Sequence, residues 1–237
     1  MKPLFALALV LGLGFSTVAR AEPTEPALSG AWTAGYDSRY VLYGYRLSRH
    51  LLHTDIYLHY PLSESLSLWG GSWFGYLPDG TYRELDGYVG LDYQLGDWLS
   101  VGAAYSIFYY IEAPFPTSDQ AHEFAAHVTA ATGGWTLSLR EHYDTEADGH
   151  LIRGMVDYAL PLTDRVGLNF GAEAGYSLYY FTQGNQWNHA LGTITAPMAL
   201  TGALSFSPYI SRSIPLAAIK DFERYETVWG GAFSLGF

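Results

Sequence analysis

Glu226-Thr227-Val228-Trp229-Gly230-Gly231-Ala232-Phe233-Ser234-Leu235-Gly236-Phe237 is the stretch whose reading decides the fold. The odd positions Trp229, Gly231, Phe233, Leu235 and Phe237 are apolar, and all but the glycine are large. The even positions Gly230, Ala232, Ser234 and Gly236 are small. Successive side chains of a strand point to opposite faces, so one face of this segment suits lipid and the other a confined interior. A strand in hydrocarbon must be paired along both edges, which only a closed barrel provides. The terminal aromatic Phe237 is the expected assembly signal, read by the barrel-assembly machinery through this last strand.

The rest of the chain repeats the pattern. Strand-like runs fall at about 30–46, 52–62, 66–77, 82–95, 98–110, 121–132, 135–145, 150–161, 165–180, 187–197, 202–211 and 226–237. Tight turns at 63–65, 96–97, 133–134, 162–164 and 198–201 alternate with longer connections at 77–81, 111–120, 145–149, 182–186 and 212–225; the connection 47–51 is unusually short for its side. In 165–178, Val166, Leu168, Phe170, Ala172, Ala174, Tyr176 and Leu178 alternate with Gly167, Asn169, Gly171, Glu173, Gly175 and Ser177. Tyr60, Tyr93, Trp98, Trp135 and Phe237 gather near the short turns, while Tyr76, Tyr82, Tyr109, Tyr110, Tyr143, Tyr179, Tyr180 and Phe181 gather near the long loops. Two aromatic belts bounding an apolar band are the girdles of an outer-membrane barrel. The expected fold is an all-β, transmembrane, antiparallel up-and-down barrel of about 12 strands, with short periplasmic turns and longer extracellular loops.

The N-terminus agrees. Lys2 precedes an apolar run from Leu4 to Phe15, and Ala19-Arg20-Ala21 supplies a small-x-small cleavage site. That run is too short to span a bilayer as a helix and reads as a signal peptide over 1–21. A short linker over 22–28 and a barrel over 29–237 follow, with no room for an N-terminal plug domain. The expected location is the bacterial outer membrane, among its lipids and lipopolysaccharide. Without residues 1–21 the chain has 10 basic and 23 acidic residues, about −13, and Lys220 is its one lysine. Such a chain is a poor nucleic-acid binder. It has no cysteine, which excludes disulfides, thiol catalysis and cysteine metal sites.

Parity places a set of ionisable residues on the inward faces: Asp37, Arg39, His53, Asp55, His59, Glu84, Asp86, Glu123, His127, Arg140, His142, Arg153, Asp157 and Glu173. Charges at membrane depth face the interior and pair with one another, so a lumen crowded with paired side chains competes with a water path. Hydrolysis needs a nucleophile activated by a base on the same face. None of the eight histidines has a serine two positions on; the nearest case is His127 with Thr129. His53, Asp55 and His59 are too spread along one strand to share an ion. The expectation is no enzyme, no metal and no cofactor.

Tyr36-Asp37-Ser38-Arg39-Tyr40-Val41-Leu42-Tyr43-Gly44 resembles the first-strand signature of a TorF-like family of outer-membrane porins, and Glu84-Leu85-Asp86-Gly87-Tyr88-Val89-Gly90 resembles a strand recurring in it. The match departs at Tyr43, where the family carries arginine, and at Leu42, where it carries an aromatic. The resemblance implies a barrel and a porin, and no catalytic residues. Three function classes follow: a narrow channel for small polar or cationic solutes, an occluded barrel acting through structure or its loops, and a lipid- or lipopolysaccharide-modifying enzyme, which no motif supports. Acidic residues outnumber the inward arginines, so an open lumen is expected to prefer cations.

Overall fold

The computed structural model describes residues 27–78, 82–112 and 119–237. The signal-peptide reading over 1–21, most of the 22–28 linker and most of the 111–120 connection lie outside these residues. Twelve long strands make the wall: β1 (Ser29–Asp37), β4 (Leu51–Pro61), β5 (Leu66–Tyr76), β6 (Arg83–Gln94), β7 (Leu99–Glu112), β8 (Gln120–Thr132), β9 (Trp135–Asp144), β10 (Gly149–Pro161), β11 (Gly167–Leu178), β12 (Asn185–Thr195), β14 (Leu204–Pro215) and β15 (Glu226–Gly236). Each pairs antiparallel with its neighbours. β15 closes on β1 from Ala31↔Gly236 to Asp37↔Gly230, and β12 pairs β14 from His189↔Pro215 to Thr195↔Tyr209. The remaining strands are β2 (Tyr40–Leu42) and β3 (Tyr45–Ser48), which pair only with each other, and the short β13 (Met198–Ala199) beside β14.

The alternation places the faces. On β15, Trp229, Phe233 and Leu235 lie open on the outside, while Gly230, Ala232 and Ser234 face in. On β4, Leu52, Ile56 and Leu58 are outside, opposite His53, Asp55, Tyr57 and His59. The tight turns use backbone freedom where it is required: Gly133 and Gly134 at φ +56° and +85° make a two-residue hairpin of the twist-matched kind. The turn-side belt is on the surface, with Tyr60, Tyr93, Trp98, Trp135 and Phe237 all exposed. The loop-side belt divides. Tyr109 and Tyr179 are exposed, but Tyr82, Tyr110 and Tyr180 are buried inside the barrel.

That division follows from a correction to the first strand. The sequence reading runs it from 30 to 46; the structure ends it at Asp37. Residues 38–50 then leave the wall, so the connection is longer than the 47–51 of the alternation. The β2–β3 hairpin formed there turns into the barrel and sinks Tyr40, Leu42, Tyr43 and Tyr45 into a cluster with Leu51, Trp73, Leu77, Tyr82, Phe108, Tyr110, Leu151, Tyr180 and Ile219. Large apolar and aromatic side chains in such number cannot find a dry environment on a polar lumen wall; they find it in one another. One strained turn serves the same end. Tyr179 and Phe181 hold φ of +62° and +50°, a conformation that non-glycine residues adopt at a cost of about 1–3 kcal/mol. Between them Tyr180 is driven inward, its N–H donating to Ser177 Oγ at 3.0 Å.

Candidate functional site: a hairpin seated across a polarised lumen

The hairpin spans the lumen from wall to wall. From its β2 leg, Tyr40 donates its hydroxyl to Glu84 Oε2 of β6 at 3.2 Å, and its ring lies 5.9 Å from Trp73 of β5. Its tip, Tyr43-Gly44, reaches the far side. The Tyr43 ring lies 4.6 Å from the Arg153 guanidinium of β10, 5.6 Å from the His142 ring of β9 and 6.4 Å from the His189 ring of β12. The tip is a tight turn with Tyr43 at φ +46° and Gly44 at +86°. Gly44 is also a close approach: a β-carbon there would meet His189 Cβ at 2.8 Å. A bulky residue held left-handed over a buried cation is a strained arrangement kept by its surroundings.

At the base, both legs are tied to the closing strand. Arg39 Nη1 meets Glu226 Oε2 at 2.6 Å, and Arg46 Nη1 meets Glu226 Oε1 at 3.1 Å. The sequence reading places Arg39 on the inward face of the first strand; the structure ends that strand at Asp37 and puts Arg39 beyond it on the loop side, its side chain 40% exposed. The backbone N–H of Arg46 donates to Glu223 Oε2 at 3.2 Å. Burial raises the Glu223 carboxyl above the usual range, while this N–H and the Arg46 charge pull it back down.

The lumen charges fall into two arcs. An acidic arc occupies β1 and β4–β6. Asp37 accepts from Tyr209 at 2.6 Å and faces His53 at 3.6 Å; Asp55 accepts from Tyr88 at 2.8 Å. Glu84 accepts from Tyr82 at 2.5 Å besides Tyr40, and Asp86 lies buried beside it on the same strand face. A basic arc occupies β8–β12. His142 bonds Glu123 at 2.8 Å, and Arg153 grips Glu173 through Nε at 2.7 Å and Nη2 at 2.5 Å. Glu173 also bonds His189 at 2.8 Å. His127 on β8 bonds Asp92 on β6 at 2.9 Å, over Gly102 of the intervening β7. Arg140 faces in between His127 and Arg153. Toward the turn side, His59 and Asp157 face the lumen on β4 and β10, with Asp157 exposed.

Four participants escape the sequence reading. Glu226 and Asp92 lie on inward parity but gain meaning only from their partners. His189 escapes for a different reason. Trp187, two residues before it, is outside, and strict alternation would put His189 outside as well. The register shift between Gly175 and Tyr176 leaves Asn188 as an extra residue and turns His189 inward. Such a bulge re-aims every side chain beyond it. Tyr43 carries no signal of its own, because nothing local states that the chain turns inward there. Among the described residues no three His, Asp or Glu side chains group as a metal site.

No family model and no curated protein sequence matches the chain. Solved structures do. The KdgM porin aligns with a TM-score of 0.56 at 10% identity, covering 88% of this chain and 99% of that one. The COG4313 outer membrane channel from Pseudomonas putida F1 aligns with a TM-score of 0.52 at 12% identity, covering 92% and 97%. The NanC porin aligns with a TM-score of 0.55 at 11% identity, covering 88% and 99%. At these identities the likeness is one of fold: this chain has the twelve-stranded barrel of those porins.

Proposed function

We propose that this protein is an outer-membrane channel for small polar solutes, held closed in the described conformation by the 38–50 hairpin. The observation that carries the reading is how the hairpin is held. It is a separate two-stranded sheet, and its reach across the lumen is made of side-chain contacts: Tyr40 on Glu84, Tyr43 on Arg153, both legs on Glu226. No strand of the wall has to break for it to leave. A barrel filled for stability alone would be filled from its own strands. The porin folds of the similar structures and the two TorF-like segments support the same reading. Those two segments meet, since Tyr40 of one donates to Glu84 of the other.

Departure of the hairpin would return Glu84, Asp86 and Glu123 to the water path, so the open state is proposed to favour cations. The test is planar-bilayer recording of refolded protein across a KCl gradient. Wild type should show brief openings between long closures. A variant with 39–49 excised and a short turn joining Ser38 to His50 should conduct persistently. A wild type silent at every voltage sinks the channel reading even if the excised variant conducts, and anion preference sinks the charge argument.

A further inference from the structure

We propose that Arg140, with His127 beside it, is a binding site in the lumen for the carboxylate or phosphate group of a solute; this rests on the channel reading. Three observations meet at this place. Arg140 on β9 stands directly across from Arg153 on β10 and from His127 on β8. Like charges opposed on neighbouring strands are unfavourable, and each neighbour answers its charge elsewhere. Arg153 is held at two points by Glu173, His127 by Asp92 and His142 by Glu123. Arg140 has no such answer: among the described residues no carboxylate comes within ion-pair distance of it. Its Nε is shut off from solvent without a hydrogen-bond partner, and so is Nδ1 of His127.

Two polar nitrogens on facing residues, both dry and both unbonded, leave the wall unsatisfied at one spot. A guanidinium without a contact ion pair in a confined space is costly, and a buried polar atom without a partner loses its hydration for nothing. The group that answers the guanidinium is an anion with two oxygens. A planar guanidinium takes carboxylate or phosphate in a fork, and the bound oxygens would lie beside the His127 ring, whose Nε2 is held by Asp92. The place suits a solute in transit. Arg140 lies one inward step toward the turn side from His142, whose ring touches Tyr43, so the bound group would sit just beneath the hairpin tip. Cation preference of the whole lumen is a summed field, whereas this is a contact at one point, and the two coexist.

The probes are glucuronate, with glucose as its uncharged counterpart, and inorganic phosphate, on full-length protein folded in detergent. Binding is read as a shift of the thermal transition of the heat-modifiable band. Glucuronate and phosphate at tens of millimolar should raise the wild-type transition by about 2–4 °C, and glucose should not. Arg140→Gln should abolish the shift without lowering the unliganded transition, because it removes a like-charge opposition. Arg140→Lys keeps the charge and loses the fork, and should show a reduced shift. A full shift in either variant, an equal shift with glucose, or none in wild type overturns the site. Because the assay needs no current, a silent bilayer with an intact shift removes the channel and leaves the site. A conducting protein without a shift removes the site alone.

Discussion

The two halves of the lumen share the same twelve strands and are filled in opposite ways. On the loop side Leu42, Leu51, Phe108, Leu151, Tyr180 and Ile219 are buried as deeply as the core of a soluble protein. On the turn side most inward positions are small or polar, among them Thr33, Ser138, Asn169, Gly171, Thr193 and Ser234, with Trp69 of β5 the large buried exception. The wall strands themselves contribute Leu51, Trp73, Phe108 and Leu151 to the loop-side core. The rest comes from chain that leaves the wall, namely the 38–50 hairpin, the turn around Tyr180, and the loop after β14, where Ile219 is fully buried. Occlusion on the loop side is therefore completed by chain added from outside the wall, and that addition can be removed.

Substitutions can sharpen or break that comparison. The largest effect is expected at Phe108, fully buried in the cluster that the hairpin joins: Phe108→Ala should cost about 3–5 kcal/mol, whereas Thr193→Ala on the turn side should stay within about 0.5 kcal/mol. Urea titration of the folded barrel in lipid measures both, and equal costs would mean that the two halves are packed alike. Next in size is the contrast between faces. Phe170 is exposed on the outside and Asn169 faces in, so Phe170→Arg should cost about 2–4 kcal/mol near mid-membrane and Asn169→Arg clearly less. The smallest effect concerns the tip. Tyr43→Leu removes the ring over Arg153 and should cost the closed state about 0.5–2 kcal/mol, read as a higher open fraction in single-channel records. Tyr43→Phe keeps the ring and should leave that fraction unchanged; a rise with Phe as large as with Leu would remove the cation–ring contact from the account. Assembly gives a further check. Loss of Phe237, whose N–H and C=O both bond Gly30 at 3.0 and 2.9 Å, should lower membrane yield of heat-modifiable protein while export of the chain continues.

Much of this was legible from residues alone, because a barrel wall obeys a local rule. The period-2 alternation in 226–237 and 165–178 names the outside and the inside without knowledge of any partner strand, and the turn residues between runs fix where strands end. Parity also carries Asp55, Glu84, Asp86, Glu123, His142, Arg153 and Glu173 to the lumen face, since no rearrangement along those strands disturbs it. Parity fails where the count is interrupted: the extra residue at Asn188 turns His189 inward, and no composition signal announces a bulge. The hairpin shows a deeper limit. Residues 38–48 keep strand-like character in either placement, as the continuation of β1 or as a separate pair inside the barrel. Only the closed wall, with Trp73, Tyr82, Leu151 and Tyr180 converging from distant strands, makes the inward placement the drier one. Sequence determined most of the wall and which way its residues face wherever the alternation runs unbroken, because those depend on neighbours one or two positions away. Tertiary structure decided whether the interior is open, which charges are answered, and that Arg140 is left over, because those depend on side chains that meet only once the barrel has closed.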